Sequence, residues 1–172
     1  MLLFNVPKKN TGFTLVEMVV TAVVVGVLAA VSVPNLLGLY NQNKVKEGLA
    51  QVEGALKEAQ RQAMRRGKSC TVEIDITNSK IKNPSSGDGC LLSERILPEG
   101  TTLTTSLPGT PKKITFSYKG NTSSSGTIVL SMNGTDQKKC LVISNGLGIM
   151  RTGTYDESVS GSMANKCITT SD

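Results

Sequence analysis

The fold is decided by Gly12-Phe13-Thr-Leu-Val-Glu17-Met-Val-Val-Thr-Ala-Val-Val-Val-Gly26-Val-Leu-Ala-Ala-Val-Ser-Val33. Phe13 to Val33 is a run of 21 residues with one charge, Glu17. A bilayer core of about 30 Å takes roughly 20 apolar residues of helix. The run therefore predicts a membrane-crossing helix over 13–34. Residues 1–12 precede it as a short leader carrying Lys8 and Lys9. Positive charge stays on the cytoplasmic side, which directs the C-terminal part outward. A carboxylate at mid-bilayer costs roughly 2.5–3.5 kcal/mol on insertion scales. A plain anchor has no use for that cost, so Glu17 needs a further role. A secretory signal peptide cut near Ala30-Val31-Ser32 is a competing reading, but its apolar stretch usually runs only about 7–15 residues.

Beyond the run stands Pro34, which removes one backbone donor and favours a break in the helix. After it the pattern becomes amphipathic over 35–67. Val45, Leu49, Val52, Leu56, Ala59 and Ala63 recur at alternating steps of three and four. That is one apolar stripe on a helix. Arg65 and Arg66 suit the negative end of the helix dipole, and Gly67 stops the helix. A single helix from Phe13 to about Arg66 is expected.

From residue 68 the signals change to strand. Cys70–Ile76 alternates with period two, and 113–118, 126–132, 139–144 and 147–151 read as further strands. Asn145-Gly146 between two of them is a strong short hairpin signal. Loops rich in Gly, Pro, Ser and Asn separate the strands. The expected class is α+β: a long helix whose second half packs on an antiparallel sheet, with residues 68–172 as the head.

Composition limits what the head can do. Aromatics are 3% and Trp is absent, so the core is small and aliphatic. There is no His, which removes the commonest general base and metal ligand. The net charge of +6 is uneven: 35–68 carries +4 and 69–172 only +1. The basic face of the helix suits an anionic membrane surface or another polyanion. Cys70, Cys90, Cys140 and Cys167 in an exported head imply disulfides. Three pairings are open, and Cys70–Cys90 with Cys140–Cys167 closes the shortest loops. Zinc is disfavoured, since there is no His and no CxxC. Glu73 and Asp75 share a strand face and read as a solvated edge. Asn121-Thr-Ser123 and Asn133-Gly-Thr135 match the N-glycosylation pattern, though Asn-Gly also simply makes turns. Neither a nucleophile–base pair nor a cofactor motif is found, so no enzyme activity, metal or cofactor is expected.

Gly12-Phe13-Thr-Leu-Val-Glu17, preceded by a basic leader and followed by an apolar run, resembles the class III signal of type IV prepilins. The resemblance implies the type IV pilin fold. It also implies that a prepilin peptidase cuts between Gly12 and Phe13 and that Phe13 is then N-methylated. Glu17 is then the assembly carboxylate that pairs with the N-terminal amine of a neighbouring subunit. Pro34 marks where the helix unwinds in a filament. The implied partners are other pilin subunits, the peptidase, the membrane and an inner-membrane assembly platform. The implied locations are the inner membrane, with the N-terminus cytoplasmic, and then an extracellular pilus or periplasmic type II secretion pseudopilus.

The segment from Cys140 to Gly153 is similar to the H-type or FimT-like branch of minor pilins and pseudopilins. Some members bind DNA through Gly-Arg-x-Arg. Here that motif stands as Gly148-Ile149-Met150-Arg151, without the first arginine. Lys138, Lys139 and Arg151 are the candidate DNA contacts, and capture of DNA for transformation is the alternative function. One arginine supplies little phosphate affinity, because affinity grows with the number of phosphates neutralised.

Overall fold

The structure, a computed structural model, describes residues 12–85 and 87–169, without the side chains of 31–35. Lys8, Lys9 and the rest of the leader before Gly12 lie outside the described residues. The chain divides into two compact units, Met1–Leu37 and Gly38–Asp172. Helix α1 (Leu15–Arg66) has its first part in one unit and its remainder in the other. Its backbone stays helical through Pro34, so no break occurs there in the isolated chain. The helix ends at Arg66 because Gly67 takes φ +62°, the left-handed cap that a side chain would strain.

In the second unit two antiparallel sheets follow. The first contains β1 (Cys70–Asp75), β2 (Lys80–Lys82), β3 (Arg95–Ile96) and β5 (Lys112–Phe116), in the order β3-β2-β1-β5. The second contains β4 (Thr101–Thr105), β6 (Gly126–Met132), β7 (Lys138–Ile143), β8 (Met150–Tyr155) and β9 (Cys167–Thr169), in the order β4-β6-β7-β8-β9. The sheets meet at Thr122, which bridges Phe116 of β5 on one side and Gly146 on the other. Its hydroxyl donates to the Thr115 carbonyl at 2.8 Å.

Alternation explains the core. On β6, Ile128 and Leu130 face inward with Leu141 and Ile143 of β7, and they join Val72, Ile74, Ile114 and Phe116. Val45, Val52, Leu56, Ala59 and Ala63 of α1 close this core, joined by Ala55. Leu49 is only partly buried. A methyl group on Gly48 would sit 2.9 Å from Leu130 Cδ2, so this glycine lets the helix approach β6 closely. Three polar ties hold the helix to the strands and turns. Glu58 accepts from Arg95 Nη2 at 2.8 Å and from the Leu92 amide at 2.9 Å. Gln60 Nε2 donates to the Gly120 carbonyl at 2.8 Å and more weakly to that of Gly148 at 3.3 Å. Asn41 Nδ2 donates to the Asn133 carbonyl at 3.2 Å.

The opposite face of the second sheet carries a smaller cluster: Val129, Cys140 and Cys167, with Val142, Tyr155 and Met163. Both expected disulfides are formed, Cys70–Cys90 and Cys140–Cys167. They differ in setting. Cys70 and Cys90 belong to the main core, whereas Cys140 and Cys167 form most of the buried part of the small one.

Three details depart from the sequence-based expectation. Asn145-Gly146 does not turn a two-residue hairpin. Ile143 pairs with Met150, so the turn spans 144–149, and the Gly146 amide bonds across to Thr122 instead. Strand β8 accordingly starts at Met150 and runs on to Tyr155. Glu73 and Asp75 are not a solvated edge: Glu73 is 8% exposed, and both carboxylates meet Lys82, at 3.3 and 3.2 Å. Strands β2, β3, β4 and β9 were not anticipated from periodicity.

Candidate functional site

The start of α1 is organised by Thr14 and Glu17. The Thr14 hydroxyl oxygen accepts from the Glu17 amide at 3.3 Å. In return Glu17 Oε2 accepts from the Thr14 amide at 2.9 Å and from its hydroxyl at 2.8 Å. This is a capping box, in which the cap residue and the residue three positions on satisfy each other's backbone donors. It fixes Leu15 as the first helical residue. Sequence reasoning gave Glu17 a purely intersubunit role and overlooked this local one. The signal was present, as Thr followed three residues later by Glu ahead of an apolar run.

The box leaves the carboxylate half used. Both bonds go to Oε2, and Oε1 makes no hydrogen bond to a described residue. Gly12 and Phe13 precede the helix, and Phe13 is 80% exposed. Thr21, one turn on, donates to the Glu17 carbonyl at 2.9 Å and to that of Met18 at 3.0 Å, so its hydroxyl is spent within the helix.

Leu15, Val16, Met18, Val19, Val20, Val23, Val24, Val25, Val27 and Leu28 are all more than half exposed. Nothing described in the first unit covers them. Among the described residues no helix is long and apolar enough to cross a membrane. The described apolar side chains of this segment stop at Ala30, and those of 31–35 lie outside the description.

The three cations singled out for DNA are not brought together. Lys138 pairs with Glu157 at 2.6 Å, on the loop after β8. Lys139 donates to Thr154 Oγ1 at 2.8 Å. As consecutive residues of β7 they point to opposite faces of the sheet. Arg151, paired in register with Val142, is exposed on the face that Lys138 shares. Two of the three charges thus have internal partners, and the sheet splits the set. The DNA alternative has no support in this arrangement.

Comparison with known proteins gives two family matches. The model for the type II transport protein GspH matches residues 49–148. That for the prokaryotic N-terminal methylation motif matches residues 7–33. No curated protein sequence matches the chain. Among solved structures it is similar to the type IV minor pilin FimU of Pseudomonas aeruginosa in two crystal forms. These share 17% and 16% identity, covering 71% and 72% of this chain and 98% and 95% of that one, each with a TM-score of 0.49. It is also similar to the minor pseudopilin EpsH from the type 2 secretion system of Vibrio cholerae. There the identity is 15%, over 67% of this chain and 94% of that one, with a TM-score of 0.44.

Proposed function

Because the chain belongs to the GspH family of type II transport proteins, we infer that its work is mechanical and structural rather than enzymatic. It is a pilin-like subunit, of the minor kind, of a type IV pilus or a type II secretion pseudopilus, and it assembles with other pilin subunits. Its N-terminal methylation motif implies a membrane-anchored precursor.

The finer course of events is our proposal. Residues 13–34 span the inner membrane with the leader in the cytoplasm and the head, 68–172, outside. A prepilin peptidase cuts between Gly12 and Phe13, and the new Phe13 amine is methylated. The amine stays cationic after methylation. In the low dielectric of a helix bundle it must find an anion, and Glu17 of a neighbouring subunit supplies one. The assembly platform lifts the subunit once that pair forms, and the helix loosens between Gly26 and Pro34 as it enters the filament.

The observation that carries this reading is the Thr14–Glu17 box. A bare carboxylate in a membrane helix is costly. Here Thr14 gives it two donors on one oxygen and leaves the other free for an incoming amine. The carboxylate is therefore oriented before its partner arrives. N-terminal sequencing by mass spectrometry of the mature protein is the test. N-methyl-Phe13 is the expected result. A mature chain that begins at Val33, or an unmethylated one that still contains Gly12, would overturn it.

A further inference from the structure

Two Asn-Gly pairs lie in the head, Asn133-Gly134 and Asn145-Gly146, and all four residues are exposed. Both glycines have the positive φ of a left-handed turn, +83° and +88°. By sequence alone the two pairs are chemically equivalent, because a glycine leaves its own amide nitrogen unshielded. The fold makes them unequal. We propose that Asn133 is a site of spontaneous deamidation primed by Asn41, whereas Asn145 is held unreactive.

Deamidation needs the amide nitrogen of the following residue as nucleophile. That nitrogen loses its proton to solvent base and attacks the asparagine Cγ. The N–Cγ bond forms, the Cγ–Nδ2 bond breaks, and Nδ2 leaves as ammonia after taking a proton. Water then opens the cyclic imide to an aspartyl or isoaspartyl residue.

At Asn145 this nucleophile is occupied. The Gly146 amide donates to the Thr122 carbonyl at 2.9 Å and to Asn145 Oδ1 at 2.8 Å. The Gly146 carbonyl accepts from the Thr122 amide at 3.2 Å, so the pair is clamped from both sides. Attack would require this bridge between the sheets to open.

At Asn133 the nucleophile is free, since the Gly134 amide makes no hydrogen bond to a described residue and neither does the Asn133 side chain. The peptide group that must ionise is, in addition, already gripped. Asn41 Nδ2 donates to the Asn133 carbonyl at 3.2 Å, on the oxygen conjugated with the Gly134 nitrogen. A donor on that oxygen stabilises the amide anion and makes the N–H more acidic. A Cβ added at Gly134 would come 2.7 Å from Asn41 Nδ2, so a side chain here would push Asn41 aside.

The product has consequences for the head. It adds a carboxylate three residues from Asp136. An isoaspartyl linkage also reroutes the main chain and moves the carbonyl that Asn41 holds. An old subunit would differ from a new one where the β6–β7 turn rests on α1.

The test is peptide mapping of the full chain in detergent micelles at neutral pH over time, with isoaspartate distinguished from aspartate. Conversion at Asn133 should outpace that at Asn145 by about tenfold, the rate equivalent of one engaged hydrogen bond. In guanidinium the two rates should converge. Asn41→Ala should slow Asn133 several-fold and leave Asn145 unchanged. Equal or faster conversion at Asn145 in the folded chain would overturn the proposal. So would an unchanged ratio in guanidinium, or an Asn41→Ala rate at Asn133 that is unchanged or raised.

Discussion

The two halves of α1 are one continuous helix with opposite burial. Between Leu15 and Leu28 every large apolar side chain is more than half exposed, on all faces of the helix. Between Val45 and Ala63 the apolar side chains form a single stripe, and Val45, Val52, Ala55, Leu56, Ala59 and Ala63 are fully buried. Helix propensity cannot account for this difference, because it governs whether a segment is helical and not which of its faces is buried. What differs is the pattern of apolar side chains. The second half carries one stripe and lays it on the strands of the head. The first half is apolar all round, the pattern of a helix surrounded by lipid or by other helices.

The strongest way to break that contrast is at Glu17. Glu17→Gln should abolish recovery of the subunit in sheared filaments yet leave the urea midpoint of the head where it was. A shifted midpoint with normal incorporation would reverse the assignment of the two halves. Next comes Leu56→Ala, which should destabilise the head by about 2–5 kcal/mol through the cavity it leaves. Val24→Ala in the first half should leave the head unchanged in the same urea titration. If both lower the midpoint alike, the halves are not energetically separate.

A smaller effect is expected at Thr14. Thr14→Val keeps the shape but loses the capping bonds, a change of about 1 kcal/mol in local helix stability. Thr14→Ser should restore it. Hydrogen exchange at Val16, Glu17 and Met18 reads this directly, and equal protection in all three proteins would remove the box from the account.

The smallest effect is one of pH, confined to the head. Hydrogen bonds from the Asn78 side chain and amide, helped by Lys82, pull the Asp75 carboxyl below the ordinary aspartate range to about 2. A lowered folded pKa stabilises above the unfolded value and is lost as pH falls through the folded one. Wild type should therefore exceed Asp75→Asn in stability at neutral pH. The gap should narrow between about pH 4 and pH 2, as followed by thermal melts. A gap that stays constant over that range would place the effect in packing rather than charge.

Legibility followed the length of each signal. The helix, its stripe and its stop at Gly67 were visible because 3.6-residue periodicity ran for many turns. Strands β1 and β5 are visible by alternation of apolar residues, and β6 and β7 as short apolar runs between turn residues. Strand β4 hides because Thr-Thr-Leu-Thr-Thr shows one apolar residue among four threonines, although its burial alternates. Strands β2 and β3 are too short to carry a period. Gly153 conceals β8. It must be glycine, since an added Cβ would clash with the Ile168 carbonyl of β9. Glu17 stood out as a lone charge in an apolar run. The partners that occupy Lys138 and Lys139 lie 15 or more residues away in sequence, and only the fold brings them close.

The position of β4 bears on how the head comes into being. It lies in the chain between β3 and β5, which share one sheet, yet it pairs with β6 of the other. The two sheets are therefore threaded through each other in sequence. As the chain is extended from its helix onward, β1 cannot gain β5 until β4 has already been delivered without its partner. No early fragment is self-sufficient, and non-local pairings of this kind fold slowly. The head matures as a unit after its last strand is out, so a subunit severed or stalled within 106–125 leaves two pieces with unpaired strands. Such pieces invite aggregation and proteolysis rather than partial assembly.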